Sequence, residues 1–205
     1  MIFIYHRVNT LEELSKVPFD SGAEIDIRYH NDDLILHHDP FGHHEKRPEL
    51  LKNFLTEWRH RGPLILNIKT EGIEQRCIDL MNQYQVRSWF FLDLSMPYFV
   101  KYANFASAGS VNGLSPENLA VRFSEFEAED YAMGFAGKAG WMWIDCFNEL
   151  PVNANKIAYF KSVGFKICIV SPELQGHNLT RITEFKDVLS DGFDAICTKR
   201  PDLWI

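Results

Sequence analysis

Apolar, β-rich runs of four to six residues recur along the chain and alternate with mixed, amphipathic stretches. This is the pattern of repeated βα units around a parallel sheet. The strand-like runs are Ile2 to His6, Ala23 to Arg28, Leu64 to Lys69, Trp89 to Asp93, Leu119 to Phe123, Trp141 to Asp145, Phe165 to Val170 and Ala195 to Thr198. Leu34 to His38 predicts a further strand, joined to the second through the turn-forming Asn31-Asp-Asp33. Helices are predicted over Leu11 to Val17, Pro48 to His60 with Pro48 suited to a first turn, Ile73 to Tyr84, Pro97 to Ala106, Ser124 to Phe135, Asn153 to Ser162 and Thr180 to Leu189. Eight such units predict an α/β fold, a compact (β/α)8 TIM-type barrel near that fold's lower size limit of about 200 residues. Periodicity alone also suits an open doubly wound sheet.

The polar positions favour the barrel. A parallel strand covered on both faces reads as continuously apolar. Here nearly every run carries a group capable of chemistry at its end: His6, Asp26, Lys69, Asp93, Arg122, Asp145, Ser171 after Val170, and Thr198. In a barrel these ends form one rim, the face that carries active sites.

A length of 205 residues predicts one well-buried domain spanning 1–205. The net charge of -7 argues against general nucleic-acid binding, which relies on Lys and Arg to neutralise phosphates, so any phosphate site must be local. Cys77, Cys146, Cys168 and Cys197 are widely spaced without Cys-x-x-Cys, and buried reduced thiols are expected rather than disulfides or zinc ligands. The start lacks a basic leader region, and no apolar stretch approaches the roughly eighteen residues of a membrane span, so a cytoplasmic location is expected.

The chemistry concentrates near the N-terminus. His6-Arg7 ends the first apolar run, Glu24 and Asp26 lie one residue apart in Gly22-Ala-Glu-Ile-Asp-Ile-Arg28, and Leu34-Ile-Leu-His-His-Asp-Pro40 follows. Strand alternation should project Glu24, Asp26 and Arg28 from one face, while His37 should face away from His38. Two carboxylates, two histidines and two arginines make up the kit for cutting a phosphodiester with a hard cation. The succession His-Arg, Glu-x-Asp, His-Asp resembles the glycerophosphodiester phosphodiesterase family and its phospholipase-C-like relatives. That resemblance implies His6 and His38 as the catalytic pair, with His6 as base and His38 as acid, and a neighbouring substrate hydroxyl as a first nucleophile that gives a cyclic phosphate. It implies Glu24 and Asp26 as ligands of a divalent cation, for which an all-oxygen site prefers Mg2+ or Ca2+. Arg7, Arg28 and Lys69 would contact the phosphate of a small-molecule phosphodiester.

The third strand resembles the family's next motif with one change. Its carboxylate-x-Lys becomes Asn67-Ile-Lys69, as in short bacterial members. Asn67 would coordinate through its amide oxygen without adding charge, and Glu71 is a candidate substitute ligand. Val8 stands where His-Arg-Gly is usual, and the chain after Asp39 has no room for the inserted domain of longer diesterases. Asp194-Ala-Ile-Cys-Thr-Lys-Arg-Pro201-Asp202 resembles the family's last strand, with Lys199 at its Asp position.

Two other functions stay open. Six of the eight histidines fall within the first 44 residues, which would suit a transition-metal hydrolase using His37, His43 and His44. A barrel that binds a phosphorylated sugar or lipid head group without cutting it would use Arg7, Arg28 and Lys69, but has no use for both His6 and His38. Gly134 to Gly140 lacks the Gly-Lys-Ser/Thr of a phosphate loop and reads as a helix-ending loop, and Asn178-Leu-Thr180 reads as a helix start.

Overall fold

The computed structural model describes residues 1–42, 48–189 and 192–205. In chain order its elements are β1 (Ile2–Tyr5), α1 (Leu11–Leu14), β2 (Gly22–His30), β3 (Asp33–Leu36), β4 (Glu49–Leu50), α2 (Leu51–Glu57), β5 (Leu64–Ile68), α3 (Glu74–Gln83), β6 (Trp89–Leu92), α4 (Met96–Ala108), β7 (Ala120–Phe123), α5 (Glu129–Met133), β8 (Trp141–Ile144), α6 (Ala154–Ser162), β9 (Lys166–Val170), α7 (Arg181–Leu189) and β10 (Ala195–Thr198).

Strand β1 pairs in parallel with β2 on one side and β10 on the other. From β2 the parallel order continues to β5 and β6, and from β10 it continues to β9, β8 and β7. A parallel bridge between Phe91 and Leu119 brings the two ends of this eight-strand order together, giving the barrel order expected of eight βα units. Strand β2 outruns its neighbours, and its second half pairs antiparallel with β3, which in turn pairs with β4.

Period-two alternation divides the apolar residues into two layers. Ile4, Ile65, Phe90, Trp141, Trp143, Cys168 and Ala195 pack in one buried cluster inside the strands. Their neighbours Ile25, Leu66, Phe91, Met142 and Ile167 face outward onto Phe54, Ile78, Phe160 and Phe185 of the helices. Each fully buried large side chain contributes about 1.5–3 kcal/mol. One step of two beyond the interior residues lies the rim: His6 follows Ile4, Lys69 follows Asn67, Arg122 follows Ala120 and Asp145 follows Trp143.

All eight predicted strands are present, but β1, β5, β6 and β8 stop one residue short of the predicted ends, so His6, Lys69, Asp93 and Asp145 stand just past the ladders. Three helices differ more. Pro48 does not open a helix, because Glu49 and Leu50 pair with β3 and helix α2 begins at Leu51. Ser124 to Ala128 form a turn in which the Ser124 hydroxyl bonds Glu127 and accepts from the Phe126 amide, which confines α5 to Glu129–Met133. The first helix is a single capped turn, with Thr10 and Glu13 forming a capping box. All four cysteines are buried free thiols. Among the described residues no helix is long and apolar enough to cross a membrane.

Candidate active site

A polar cavity of about 180 Å3 opens where the parallel strands end. His6, Arg7, Glu24, His38, Asn67 and Lys69 line one side, and Asp93, Arg122, Asp145, Phe147 and Gln175 line the other. The backbone is strained at two of these positions: Arg7 and Asp93 adopt positive φ values of 55° and 59°. A side chain other than glycine pays sterically for that conformation, and such outliers gather at functional sites. At Arg7 the turn lets its backbone amide donate to Glu24 Oε2 at 2.7 Å.

Glu24 and Asp26 project inward from β2 as alternation requires, and both are almost completely buried. Burial, followed by the neighbouring Asp26 charge, pushes the Glu24 pKa up to about 7. Asn67 Nδ2 donates to Glu24 Oε1 at 2.8 Å, leaving Asn67 Oδ1 buried and without a hydrogen-bond partner. Asp26 is clamped by Asn9, whose Nδ2 donates to Oδ2 and whose Oδ1 accepts from the Asp26 amide, each at 2.8 Å. Its other oxygen, Oδ1, makes no hydrogen bond and lies 3.5 Å from Lys69 Nζ.

His6 Nε2 lies 3.8 Å from Glu24 Oε2, and its Nδ1 is buried without a partner. Burial, then the charges of Arg7, Lys199, His38 and Lys69, push the His6 pKa down to about 3, so its imidazole is neutral at pH 7. His38 is held from both sides. Arg7 Nη2 donates to its Nε2 at 2.6 Å, which leaves Nδ1 as the donor to Asp39 Oδ1 at 2.8 Å.

Asp26 does not itself line the cavity: it is fully buried, held by Asn9 with Lys69 alongside. Two further expected site residues stand elsewhere. Arg28 does not line the cavity: its Nε and Nη2 donate to the His38 carbonyl and its Nη1 to the Lys69 carbonyl. Strand β2 continues past the rim at this point and pairs with β3, so sharing a face with Glu24 and Asp26 does not bring Arg28 to the mouth. It ties two site-bearing loops together. Arg28→Ala is expected to lower the thermal midpoint by several degrees, since bonds from a charged donor contribute about 1.5–3 kcal/mol. A thermal unfolding scan checks this. Glu71 is exposed and absent from the lining, so it is not placed as a substitute ligand.

The opposite wall carries an ion-pair chain. Arg122 donates from Nη1 to Asp93 Oδ1 at 2.9 Å and from Nη2 to Asp145 Oδ2 at 2.8 Å. Gln175 Nε2 donates to Asp145 Oδ1 at 2.8 Å, and Lys69 Nζ lies 3.5 Å from Asp93 Oδ2, linking this wall to Asp26. Burial raises the Asp145 pKa to about 6, opposed by Arg122. Asp93, Arg122 and Asp145 were visible as polar strand ends without an assigned role. Phe147 and Asn9 sit in loops and Gln175 ends a short 3-10 helix, Pro172–Gln175, where periodicity carries no signal.

Among the described residues no three His, Cys, Asp or Glu side chains are grouped to hold a metal ion. The donors at hand are oxygens: the Glu24 and Asp26 carboxylates and the unpartnered Asn67 Oδ1. Buried orphan oxygens beside a carboxylate whose ionisation is suppressed fit a hard cation bound weakly. His43 and His44 lie outside the described residues. His37 Nδ1 contacts the Asp39 carbonyl at 2.8 Å, and its ring packs edge-on against Phe41.

No protein-family model and no curated protein sequence matches the chain. Solved structures do match. A glycerophosphodiester phosphodiesterase from Agrobacterium tumefaciens superimposes with a TM-score of 0.67 at 17% identity, covering 100% of this chain and 99% of that one. A glycerophosphoryl diester phosphodiesterase from Parabacteroides distasonis gives 0.68 at 15% identity, covering 98% of this chain and 84% of that one. An Oleispira antarctica phosphodiesterase, solved with the product sn-glycerol-3-phosphate, gives 0.56 at 14% identity, covering 96% of this chain and 92% of that one. The chain therefore has the fold of glycerophosphodiester phosphodiesterases, a TIM-type barrel.

Proposed function

We propose that this barrel is a phosphodiester hydrolase acting on a glycerophosphodiester or a related polyol or sugar phosphodiester. The observation that carries the reading is the pair of histidines on one polar cavity, one beside Glu24 and one bonded to Asp39, in a fold shared with phosphodiesterases. A general base must be unprotonated before it acts, and His6 is. Burial is the larger cause of the low His6 basicity, and an anionic diester in the cavity offsets the lesser part due to the cations Arg7, Lys199 and Lys69. His6 then takes the proton of the attacking hydroxyl, from water or a neighbouring substrate alcohol.

His38 protonates the leaving alkoxide. Asp39 accepts from its Nδ1 and fixes the orientation and tautomer of the ring. In the structure Arg7 covers Nε2. A bound phosphate attracts the Arg7 guanidinium by bidentate hydrogen bonds and frees Nε2 to carry the transferred proton. Lys69, beside Asp26 and Asp93, is the second phosphate-facing cation.

Glu24, Asp26 and Asn67 would hold Mg2+ or Ca2+, which when bound supplies positive charge to the phosphoryl oxygens. Because Asn67 brings no charge, binding is expected to be modest and readily reversed. Purified protein should hydrolyse members of a panel of glycerophosphodiesters and polyol-phosphate diesters, lose activity in a chelator, and recover it when Mg2+ or Ca2+ is restored. Ligand binding without turnover across the panel would favour a non-catalytic barrel. Tight stoichiometric zinc would favour the transition-metal alternative.

A further inference from the structure

The wall opposite the histidines has no part in the chemistry above, yet it carries a continuous network of charged and amide side chains. Arg122 forks between Asp93 and Asp145, and Gln175 closes the second carboxylate. Asp93 is held in a positive-φ conformation at the cavity edge. A structural ion pair needs neither that backbone strain nor a place on the lining of a cavity. The wall also offers mixed functionality. Its carboxylates accept, its guanidinium and amide donate, and Arg122 Nε is buried without a hydrogen-bond partner, 3.8 Å from Glu127 Oε1. Alternating donors and acceptors match adjacent hydroxyl groups, each of which gives and takes one hydrogen bond.

The charges narrow the ligand further. Asp93, Asp145 and Glu127 surround Arg122, with Lys69 at one end. The carboxylates repel a second phosphate, and a quaternary ammonium has no lone pair to accept from the Arg122 and Gln175 donors. A neutral ligand rich in hydroxyl groups serves both kinds of partner. Beside the network stands Phe147, its ring centre 5.8 Å from the Arg122 guanidinium carbon. Phe126 packs against Phe147 at 6.0 Å yet is itself 70% exposed. Among the described residues nothing covers it, and the pair extends an apolar wall from the cavity towards solvent. A flat aromatic surface next to paired carboxylates and a guanidinium suits a ring with an apolar C–H face and an equatorial hydroxyl edge.

We propose that Asp93, Arg122, Asp145, Gln175 and Phe147 form a subsite for the alcohol part of the diester, and that this alcohol is a neutral ring polyol, a sugar or cyclitol, in place of a glycerol or amino-alcohol group. The inference rests on the hydrolase reading for its position beside the phosphate, but the subsite can be tested without turnover.

Methyl phosphodiesters of several hexoses and cyclitols can be compared with the methyl phosphodiester of glycerol, so that only the alcohol differs. At least one ring substrate should exceed glycerol in kcat/KM by about tenfold or more, as sites built to hydrogen-bond hydroxyls discriminate strongly. Gln175→Leu and Phe147→Ala should bring that ratio down by about tenfold to a hundredfold, each loss being about 1–3 kcal/mol. A wild-type preference for glycerol, or a ratio unmoved in both variants, overturns the subsite. If no diester is turned over, the hydrolase reading fails, and calorimetric titration with the corresponding ring monophosphates and glycerol 3-phosphate decides the subsite alone. Tighter ring binding that weakens in Phe147→Ala supports it, and equal affinities overturn it.

Discussion

His6→Ala is expected to lower kcat for diester hydrolysis by about a hundredfold to ten-thousandfold, the usual cost of removing a positioned base. Affinity for a phosphate ligand should change little, because the neutral imidazole contributes no charge to anion binding. Its position explains why loss should be so complete. His6 stands just past β1, two residues after Ile4, which directs it into the barrel mouth, and Glu24 lies beside its Nε2. His38→Ala should lower kcat similarly while largely preserving ligand affinity. Arg7→Ala should reduce both, since the same guanidinium holds His38 and is the cation available to a phosphate. Steady-state kinetics with a parallel binding titration separates these outcomes. Full activity in His6→Ala would reject its role as base.

The second large effect concerns stability. The Glu24 pKa of about 7 lies above its ordinary value of 4.5 because the carboxylate is buried next to Asp26. The folded protein holds that proton more tightly than the unfolded chain does. The associated stability is therefore fully present below about pH 4.5 and is lost as pH rises through about 7. Above that range an ionised, buried carboxylate works against the fold. Glu24→Gln keeps the shape and stays neutral at every pH. In chelated protein its effect on unfolding free energy should become more favourable by on the order of 1–3 kcal/mol between pH 5 and pH 8. Urea unfolding at the two pH values measures it, and a difference that does not change with pH would contradict the account. The same variant should lose catalysis and the thermal shift that Mg2+ or Ca2+ produces in the wild type. A residue whose replacement stabilises the protein while abolishing its activity is held for function.

Much of this site can be read from the chain because barrel geometry converts period-two alternation into location. Ile4 and His6, Ala120 and Arg122, and Trp143 and Asp145 each put a buried residue and a rim residue on one face, and the polar member marks the mouth. Glu24, Asn67 and Lys69 reach the same cavity for that reason, whereas His38 reaches it from the segment after β3, held by Arg7 and Asp39. Alternation fails where a strand leaves the barrel. Arg28 shares the face of Asp26, but β2 there has left the rim to pair with β3, and the guanidinium binds backbone carbonyls. Helix ends were harder to read because local hydrogen bonds compete with helix formation. Ser124 and Glu127 make a turn where composition suggested helix, and β4 displaces the helix start from Pro48. Phe147 and Asn9 reach the site from loops and Gln175 from a single 3-10 turn, whose paths depend on tertiary contacts that no periodic pattern encodes.

The central claim is that His6 and His38 act together on one phosphodiester. Phosphorus-31 NMR of a glycerol or sugar phosphodiester incubated with the protein and Mg2+ or Ca2+ tests it most directly. With wild-type protein the diester resonance is expected to give way to a monoester, with or without a transient cyclic phosphate, and it should persist in His6→Ala and His38→Ala. Persistence of every diester with the wild type, or equal consumption by wild type and both variants, would contradict the account.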